Sequence, residues 1–251
     1  MTNKLTLAKN LIKGNRSKRK GLFIVEGPHL VEEAIEQIEF LLYSRKYPVL
    51  KVLMGKGVPC SLITEKEFSQ VSQVEAPQGI LAVAREKNFV LESLFRKPDP
   101  LIVICAGIQD PGNLGTIIRT ADAAGAAGVI LSKGTVDLYN QKVIRSSMGS
   151  IFHLPIISGI DLAETIGKLK EKGVKILAAD ADGKKIYFES DLKGPLAILL
   201  GNEGSGIESN IIGYSDETVS IPMPGRAESL NAGVSAGIII YEALKQRING
   251  K

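Results

Sequence analysis

The stretch "LAILLGNEGSGI", Leu196–Ile207, runs five apolar residues straight into three glycines spaced G-x-x-G-x-G, namely Gly201, Gly204 and Gly206. A short apolar run closed by glycine reads as a strand covered on both faces, and strands of that kind belong to parallel sheets. The loop that follows does not fit a dinucleotide-binding turn. That turn has the order G-x-G-x-x-G, whereas here the order is different and Glu203 stands inside the loop. Phosphate is a poor guest beside a carboxylate. Taken alone, the glycines are equally consistent with a tight turn that needs positive φ.

The same pattern recurs on both sides. "LIVICAGI" (101–108), "GVILS" (128–132), "FHLPIIS" (152–158), "KILAAD" (175–180) and "TVSIPM" (218–223) are further apolar runs separated by helical stretches. They predict an α/β domain over residues 101–251 built on a mostly parallel sheet. Upstream, residues 1–90 alternate shorter elements: a helix near Leu5–Ile12, the strand "LFIVEG", the helix "HLVEEAIEQI", then the apolar runs "FLLY", "VLKVLM" and "GILAVA". These predict a small α/β unit. Asn88–Pro100 is charged and closes on Pro98 and Pro100, which suits an exposed connection, so a linker is set at 91–100. No internal repeat or low-complexity segment is present.

With 251 residues, 44% hydrophobic and 23% charged, the chain can bury a sizeable core. No apolar run approaches the ~20 residues that span a bilayer, and the N-terminal stretch has no apolar segment of the secretory kind. These features predict a cytoplasmic protein that makes no membrane contact. Two cysteines, Cys60 and Cys105, predict buried reduced thiols rather than a disulfide or a metal site. His29 and His153 read as structural histidines, and no metal is expected. Charge is uneven. Residues 1–20 hold seven Lys and Arg with no Asp or Glu, whereas residues 101–251 hold 15 basic and 16 acidic residues. The basic run, with Lys13, Arg16, Lys18, Arg19 and Lys20 at its centre, is either a solvated face or a phosphate-binding surface that reads no sequence.

Ligands of an open parallel sheet gather beyond the carboxyl ends of its strands. Three loops leave such ends with unusual chemistry. In "QDPGNLGTIIRTADAAGAAG" Asn113 reads as a helix N-cap, with Arg119 about one and two-thirds turns on. "GNEGSGI" supplies Glu203. In "PMPGRAESLNAG" Ser229 or Asn231 can cap a long closing helix. Its apolar residues Leu230, Val234, Ile238, Tyr241 and Leu244 make a stripe that is either core or interface. The topology predicts that all three loops meet at one sheet edge. Each loop also has a plain structural reading, as a capped helix or a turn.

The three loops, in this order, resemble the three motifs of the SpoU family of RNA ribose methyltransferases, in the SPOUT superfamily. "FIVEGPHLVEEAI" and "APQGILAVA" also look like the ends of the small substrate-binding domain that precedes SpoU domains in ribosomal-RNA methyltransferases, so the resemblance covers nearly the whole chain. It implies a deep trefoil knot in the C-terminal segments, with S-adenosylmethionine bent inside it. Gly201, Asn202, Ile221, Met223 and Leu230 would hold the cofactor. Asn113, Arg119, Glu203, Ser229 and Asn231 would form the catalytic set, Arg119 acting on the 2′-hydroxyl or on the neighbouring phosphate. It further implies ribosomal RNA as the substrate, bound through the small domain and the basic run, and a homodimer formed through the closing helix and the knot.

Guanidinium is normally always protonated, so stabilisation of growing negative charge stands beside the family's proposal that the arginine is a base. Three other readings remain open at this point: a tRNA substrate, an RNA-binding module with a degenerate cofactor site, and a nucleotide-dependent oxidoreductase. The intact polar set disfavours the second, and the glycine order disfavours the third.

Overall fold

The computed structural model describes residues 2–13 and 21–250, and the chain divides into two compact units, Met1–Lys87 and Asn88–Lys251. In chain order the first unit comprises α1 (Thr2–Lys13), β1 (Leu22–Glu26), α2 (Pro28–Glu33), β2 (Ile38–Tyr43), α3 (Val49–Gly55), β3 (Cys60–Leu62), α4 (Glu65–Phe68) and β4 (Ile80–Arg85). The second comprises β5 (Leu101–Cys105), α5 (Pro111–Ala123), β6 (Gly128–Ser132), α6 (Gln141–Ser146), β7 (Ile156–Ile160), α7 (Leu162–Glu171), β8 (Lys175–Ala179), β9 (Lys185–Ile186), β10 (Leu196–Leu200), α8 (Ser209–Ile212), β11 (Glu217–Ser220) and α9 (Ala232–Asn249).

The small sheet has the order β1-β4-β2-β3, with β4 antiparallel to both neighbours and β2 parallel to β3. Ala8 and Leu11, three apart on α1, lie on one helical face and pack with Ile24, Phe40, Leu42 and Phe68. "VLKVLM" forms a helix, not a strand. Its Val49, Leu50 and Leu53 recur at helical spacing and are buried, while Val52 and Met54 face outward.

In the second unit seven strands line up as β7-β6-β5-β10-β8-β11-β9, every neighbouring pair parallel. The expected mostly parallel sheet is thus fully parallel. Its central strands are buried on both faces, as near-continuous apolar runs require. Ile102, Ile104, Ala197 and Leu199 pack with Leu162, Ile166 and Leu169 of α7. α5 lies against β6, and α9 lies against both α5 and β10. The stretch expected to be an exposed connection is more structured than its prolines suggest. Leu91–Phe95 form a 3₁₀ turn whose Leu94 is fully buried in the core of the large sheet.

The closing helix begins at Ala232, directly after Asn231, one of its two candidate caps, and its far end is fixed by an arginine. The Arg247 guanidinium donates to the carbonyls of Leu192 (3.3 Å), Asp99 (2.8 Å) and Gly194. No helix among the described residues is long and apolar enough to cross a membrane.

Glu217 ties three strands together, its carboxylate lying 2.6 Å from the Lys175 ammonium of β8 and 2.5 Å from that of Lys185 on β9. Burial opposes its ionisation, but the two lysines outweigh burial and hold its carboxyl down at about 2. A depressed carboxyl pKa stabilises the fold above the ordinary value of 4.5, and that stability fades as pH falls toward about 2. Glu217→Gln is therefore expected to cost roughly 2–3 kcal/mol near neutral pH. Denaturant unfolding from pH 7 to pH 2.5 should show this difference from the native chain shrinking below pH 4.5.

Candidate active site

The register of the large sheet brings the first two loops together. Leu200, the last residue of β10, pairs with Cys105, the last of β5, so both chains leave the sheet level and side by side. Three residues on from Leu200, Glu203 meets the segment that follows β5. Its Oε2 accepts from the Gln109 backbone N–H at 3.1 Å, and its Oε1 accepts from the Asp110 N–H at 3.2 Å and from Asn113 Nδ2 at 2.9 Å. The third loop joins through Asn231, whose Nδ2 donates to Asn113 Oδ1 at 2.7 Å while its own Oδ1 accepts from the N–H groups of Gly233 and Val234. All these bonds point one way. From the amino end of α9 each amide donates to the next, and the chain ends on the Glu203 carboxylate.

Burial works against the charge on Glu203, but Asn113, Gln109 and Asp110 overcome it and hold the carboxyl below its ordinary value. Both oxygens are occupied, so Glu203 is an anchor here and not a free base. Cys105 sits just beneath. Burial and then the Glu203 charge push its thiol up to about 12, and a thiol in that state is no nucleophile.

The structure corrects the sequence reading at several points. Asn113 is not the cap of α5. Asp110 is, its Oδ1 accepting from the Asn113 N–H at 2.8 Å, with Pro111 at the first helical position. The "DPG" signature carried this signal. Of the two caps offered for α9, Asn231 is the one that takes the role, and Ser229 is exposed on the wall of a neighbouring cleft. Arg119 is exposed on α5 and makes no hydrogen bond or ion pair with any described residue. The three loops therefore converge, but Arg119 and Ser229 stand outside the bonded network. Cys60 is only half-buried, while His153 sits at the surface 2.7 Å from Asp122. Among the described residues no cluster could hold a metal. Of the five residues at the centre of the basic run only Lys13, exposed at the end of α1, is described. Arg16, Lys18, Arg19 and Lys20 lie outside the described residues.

The glycine loop bends around itself. A Cβ on Gly201 would lie 2.4 Å from the Gly206 carbonyl carbon and 2.5 Å from the Ile207 nitrogen, and Gly206 has φ +68°. Asn202 and Gly206 exchange backbone hydrogen bonds, and the Asn202 side chain fills the turn, accepting from the Gly204 and Ser205 N–H groups and donating to the Gly107 carbonyl. Gly201 thus serves a backbone crossing within the loop.

A cleft of about 460 Å³ opens beyond β8 and β11, lined by Ala179–Asp182, by Ile221, Pro222 and Met223, and by Ser229 and Leu230. It unites three of the residues expected to hold a cofactor. Its mixture of apolar walls with Asp180, Asp182 and Glu228 suits a ligand with an aromatic ring and hydroxyl or ammonium groups. Gly201 and Asn202 are not among the residues lining it. Asp180–Gly183 was missed in the sequence, although "ADADG" following an apolar strand is a turn signal.

A parallel sheet with a polar network at the ends of its central strands, beside a ligand-sized cleft, marks an α/β enzyme. Comparison with known proteins makes the class specific. Residues 100–241 match the SpoU rRNA Methylase family and residues 7–82 match the MRM3-like substrate binding domain. The 23S rRNA (guanosine(2553)-2′-O)-methyltransferase RlmP of Bacillus subtilis is 36% identical over 222 residues, 87% of each chain. The SpoU methyltransferase AviRb from Streptomyces viridochromogenes, solved in complex with the cofactor AdoMet, superposes with a TM-score of 0.88 at 32% identity, over 98% of this chain and 99% of that one. A TrmH/SpoU tRNA modifying enzyme of A. aeolicus covers only 63% of this chain, with a TM-score of 0.56. The chain belongs to the SpoU rRNA methylase family and is an RNA methyltransferase.

Gly201→Ala is expected to destabilise the second unit by about 1–3 kcal/mol, because the new methyl group meets backbone that cannot move aside without breaking the loop. Gly204→Ala should be tolerated, since its methyl would meet only Asn202 Oδ1, at 3.6 Å. Thermal unfolding of the two variants side by side checks the contrast.

Proposed function

We propose that Arg119 acts on the acceptor of the methyl-transfer reaction, supported by the network of Asn113, Glu203 and Asn231, with the cofactor in the cleft beyond β8 and β11. The chain is an S-adenosylmethionine-dependent RNA methyltransferase that modifies a ribose 2′-hydroxyl, and ribosomal RNA is its substrate class. The observation that carries the residue assignment is the meeting of three separate loops on one anchored carboxylate, next to a cleft holding Ile221, Met223 and Leu230.

S-adenosylmethionine supplies a methyl carbon on a sulfonium, from which sulfur departs as a neutral thioether. The residues of the chain must align the acceptor oxygen with that carbon and stabilise the charge that grows on the oxygen as its proton passes to solvent water. Arg119 suits the second task. It is exposed, permanently charged and unpaired among the described residues, so its planar fork is open to an alkoxide or to the adjoining phosphate. Asn113 and Glu203 set the start of α5, on which Arg119 is carried. Asn231 joins that start to the loop lining the cleft, and Ser229 faces the cleft itself.

A ribosomal rather than a tRNA acceptor is favoured by the first unit, which matches a substrate-binding domain, and by the relatives that cover most of the chain, whereas the tRNA enzyme of A. aeolicus covers only 63% of it. We assign RNA contact in that unit to Lys13, Arg16, Lys18, Arg19 and Lys20, and a substrate of this kind supports a cytoplasmic site of action. The insertion of β10 between β5 and β8 supports the reading of the C-terminal segments as a deep trefoil knot, with Gly201 and Asn202 at the cofactor's edge.

The closing helix supports a homodimer. It buries Gly233, Ala236, Ile239, Ile240 and Ala243 within its own chain, which leaves Leu230, Val234 and Tyr241 at 37%, 50% and 50% exposure. Ile238 and Leu244 of the same stripe are half-buried, so the stripe is only partly core, and a two-fold contact would cover its exposed members.

Arg119→Ala is expected to lower methyl transfer about 10²–10³-fold while leaving cofactor affinity and folding unchanged, and Arg119→Lys to restore little. Transfer of labelled methyl to a 23S rRNA transcript, with calorimetry for the cofactor, measures both. Turnover of either variant at the native rate would remove Arg119 from the mechanism. On the dimer, light scattering should give the mass of two chains for the native protein and of one for Tyr241→Glu, which should also lose transfer. A native monomer that methylates RNA would refute the assembly.

A further inference from the structure

A second cavity, of about 450 Å³, lies on the other side of the Glu203 loop, at the carboxyl ends of β5, β6 and β7. Sheet order separates the two openings. The cofactor cleft lies beyond β8 and β11, this cavity lies beyond β7, β6 and β5, and the β10 loop runs between them. Gln109 and Asn202 line it, and they are the neighbours of the network: the Gln109 N–H binds Glu203, and Asn202 precedes it in the chain. A transferase with two substrates needs a second receptacle adjoining the groups that act on both.

The lining has two characters. Ala106, Ile160, Leu162, Ala163 and Ile211 offer an apolar wall, while Glu208, Asn210 and Lys133 stand at a polar rim. The last three side chains are exposed and make no hydrogen bond or ion pair with any described residue. They differ in this from Asp161 and Asn202 of the same cavity, whose Oδ1 atoms accept from backbone N–H groups. A free carboxylate, a free amide and a free ammonium around an apolar slot suit a flat heterocycle with hydrogen-bonding edges.

We propose that this cavity receives the unstacked base of the nucleotide being methylated, and that the base is guanine, read by Glu208. Enzymes that single out one nucleotide draw its base from the stack and read its Watson–Crick edge. A carboxylate accepts only, so it pairs best with two adjacent donors. Guanine alone among the four bases offers that pair, at N1 and the 2-amino group, with O6 beside them for Lys133 or Asn210. Adenine, cytosine or uracil would set an acceptor against the carboxylate.

The proposal rests on the methyltransferase reading, but its test is independent of turnover. Guanosine, inosine and adenosine 5′-monophosphates are titrated at millimolar concentration into the full chain labelled with ¹⁵N. The guanine nucleotide is expected to perturb the amides of Gly134, Ser205 and Glu208. Inosine monophosphate, which lacks the 2-amino group, should bind about tenfold more weakly. Glu208→Gln should weaken the guanine nucleotide by a similar factor and leave S-adenosylmethionine affinity, hence the fold, unchanged. Ala163→Phe, which narrows the cavity without touching the rim, should weaken all three nucleotides. The proposal is overturned if the guanine nucleotide perturbs none of these amides, if Glu208→Gln binds it as well as the native chain does, or if S-adenosylmethionine displaces it. Methyl transfer to a 23S rRNA transcript is scored separately, so loss of turnover counts against the functional assignment and not against the cavity.

Discussion

One carboxylate holds the working end of this protein together. Glu203 takes two backbone N–H groups from the loop after β5 and an amide from α5, and through Asn113 and Asn231 it is tied to the start of α9. Segments around positions 110, 203 and 231 would otherwise be three independent surface loops, each with its own freedom. A buried or half-buried polar network stabilises its surroundings only when every member is satisfied, and here each amide both donates and accepts. The consequence is a site whose geometry is decided by the sheet. Because β5 and β10 end level, the carboxylate lands on the N–H groups it needs; α5 then carries Arg119, and the loops after β8 and β11 carry the cleft residues.

The two cavities follow from the same constraint. In a parallel sheet all carboxyl ends lie along one edge, so ligands that must meet are received side by side, divided by the width of a strand and its loop. The β10 loop is that divider, and its self-closure around Asn202 keeps it narrow. Its glycines serve backbone crossing and handedness, which leaves Glu203 free to act as the anchor between the two halves.

Much of this was legible in the residues. The apolar runs marked nearly every strand of the large sheet, because a strand buried on both faces has no polar alternation to obscure it. The three loops announced themselves by polar residues placed where apolar runs end. Other features were hidden for physical reasons. "VLKVLM" is too short for its period to separate helix from strand. Asn113 and Asp110 are both good caps, and only the proline between them favours the earlier one. The closing helix reads as apolar almost all round, so sequence could not say which stripe faces its own chain. Packing settled that through Gly233 and Ala236, whose small size lets α9 approach α5. That Arg119 pairs with no described residue could not be read at all, since the absence of a partner leaves no pattern.

The position of β10 also bears on how the chain comes to be made. Its register partners on β5 lie 95 residues earlier, and β8 has no sheet neighbour except β10 and β11, both of which follow it. On a ribosome, synthesis at about 5–20 residues per second therefore leaves the left half of the sheet waiting several seconds with an open edge, and the strand at 175–179 waiting with no neighbour at all. Leu196–Leu200 do not decorate a finished body; they insert its middle. The sheet of a ribosomal-RNA enzyme is thus closed only after its own ribosome has delivered β10, and a nascent chain cut short before residue 196 presents an open apolar edge on β5.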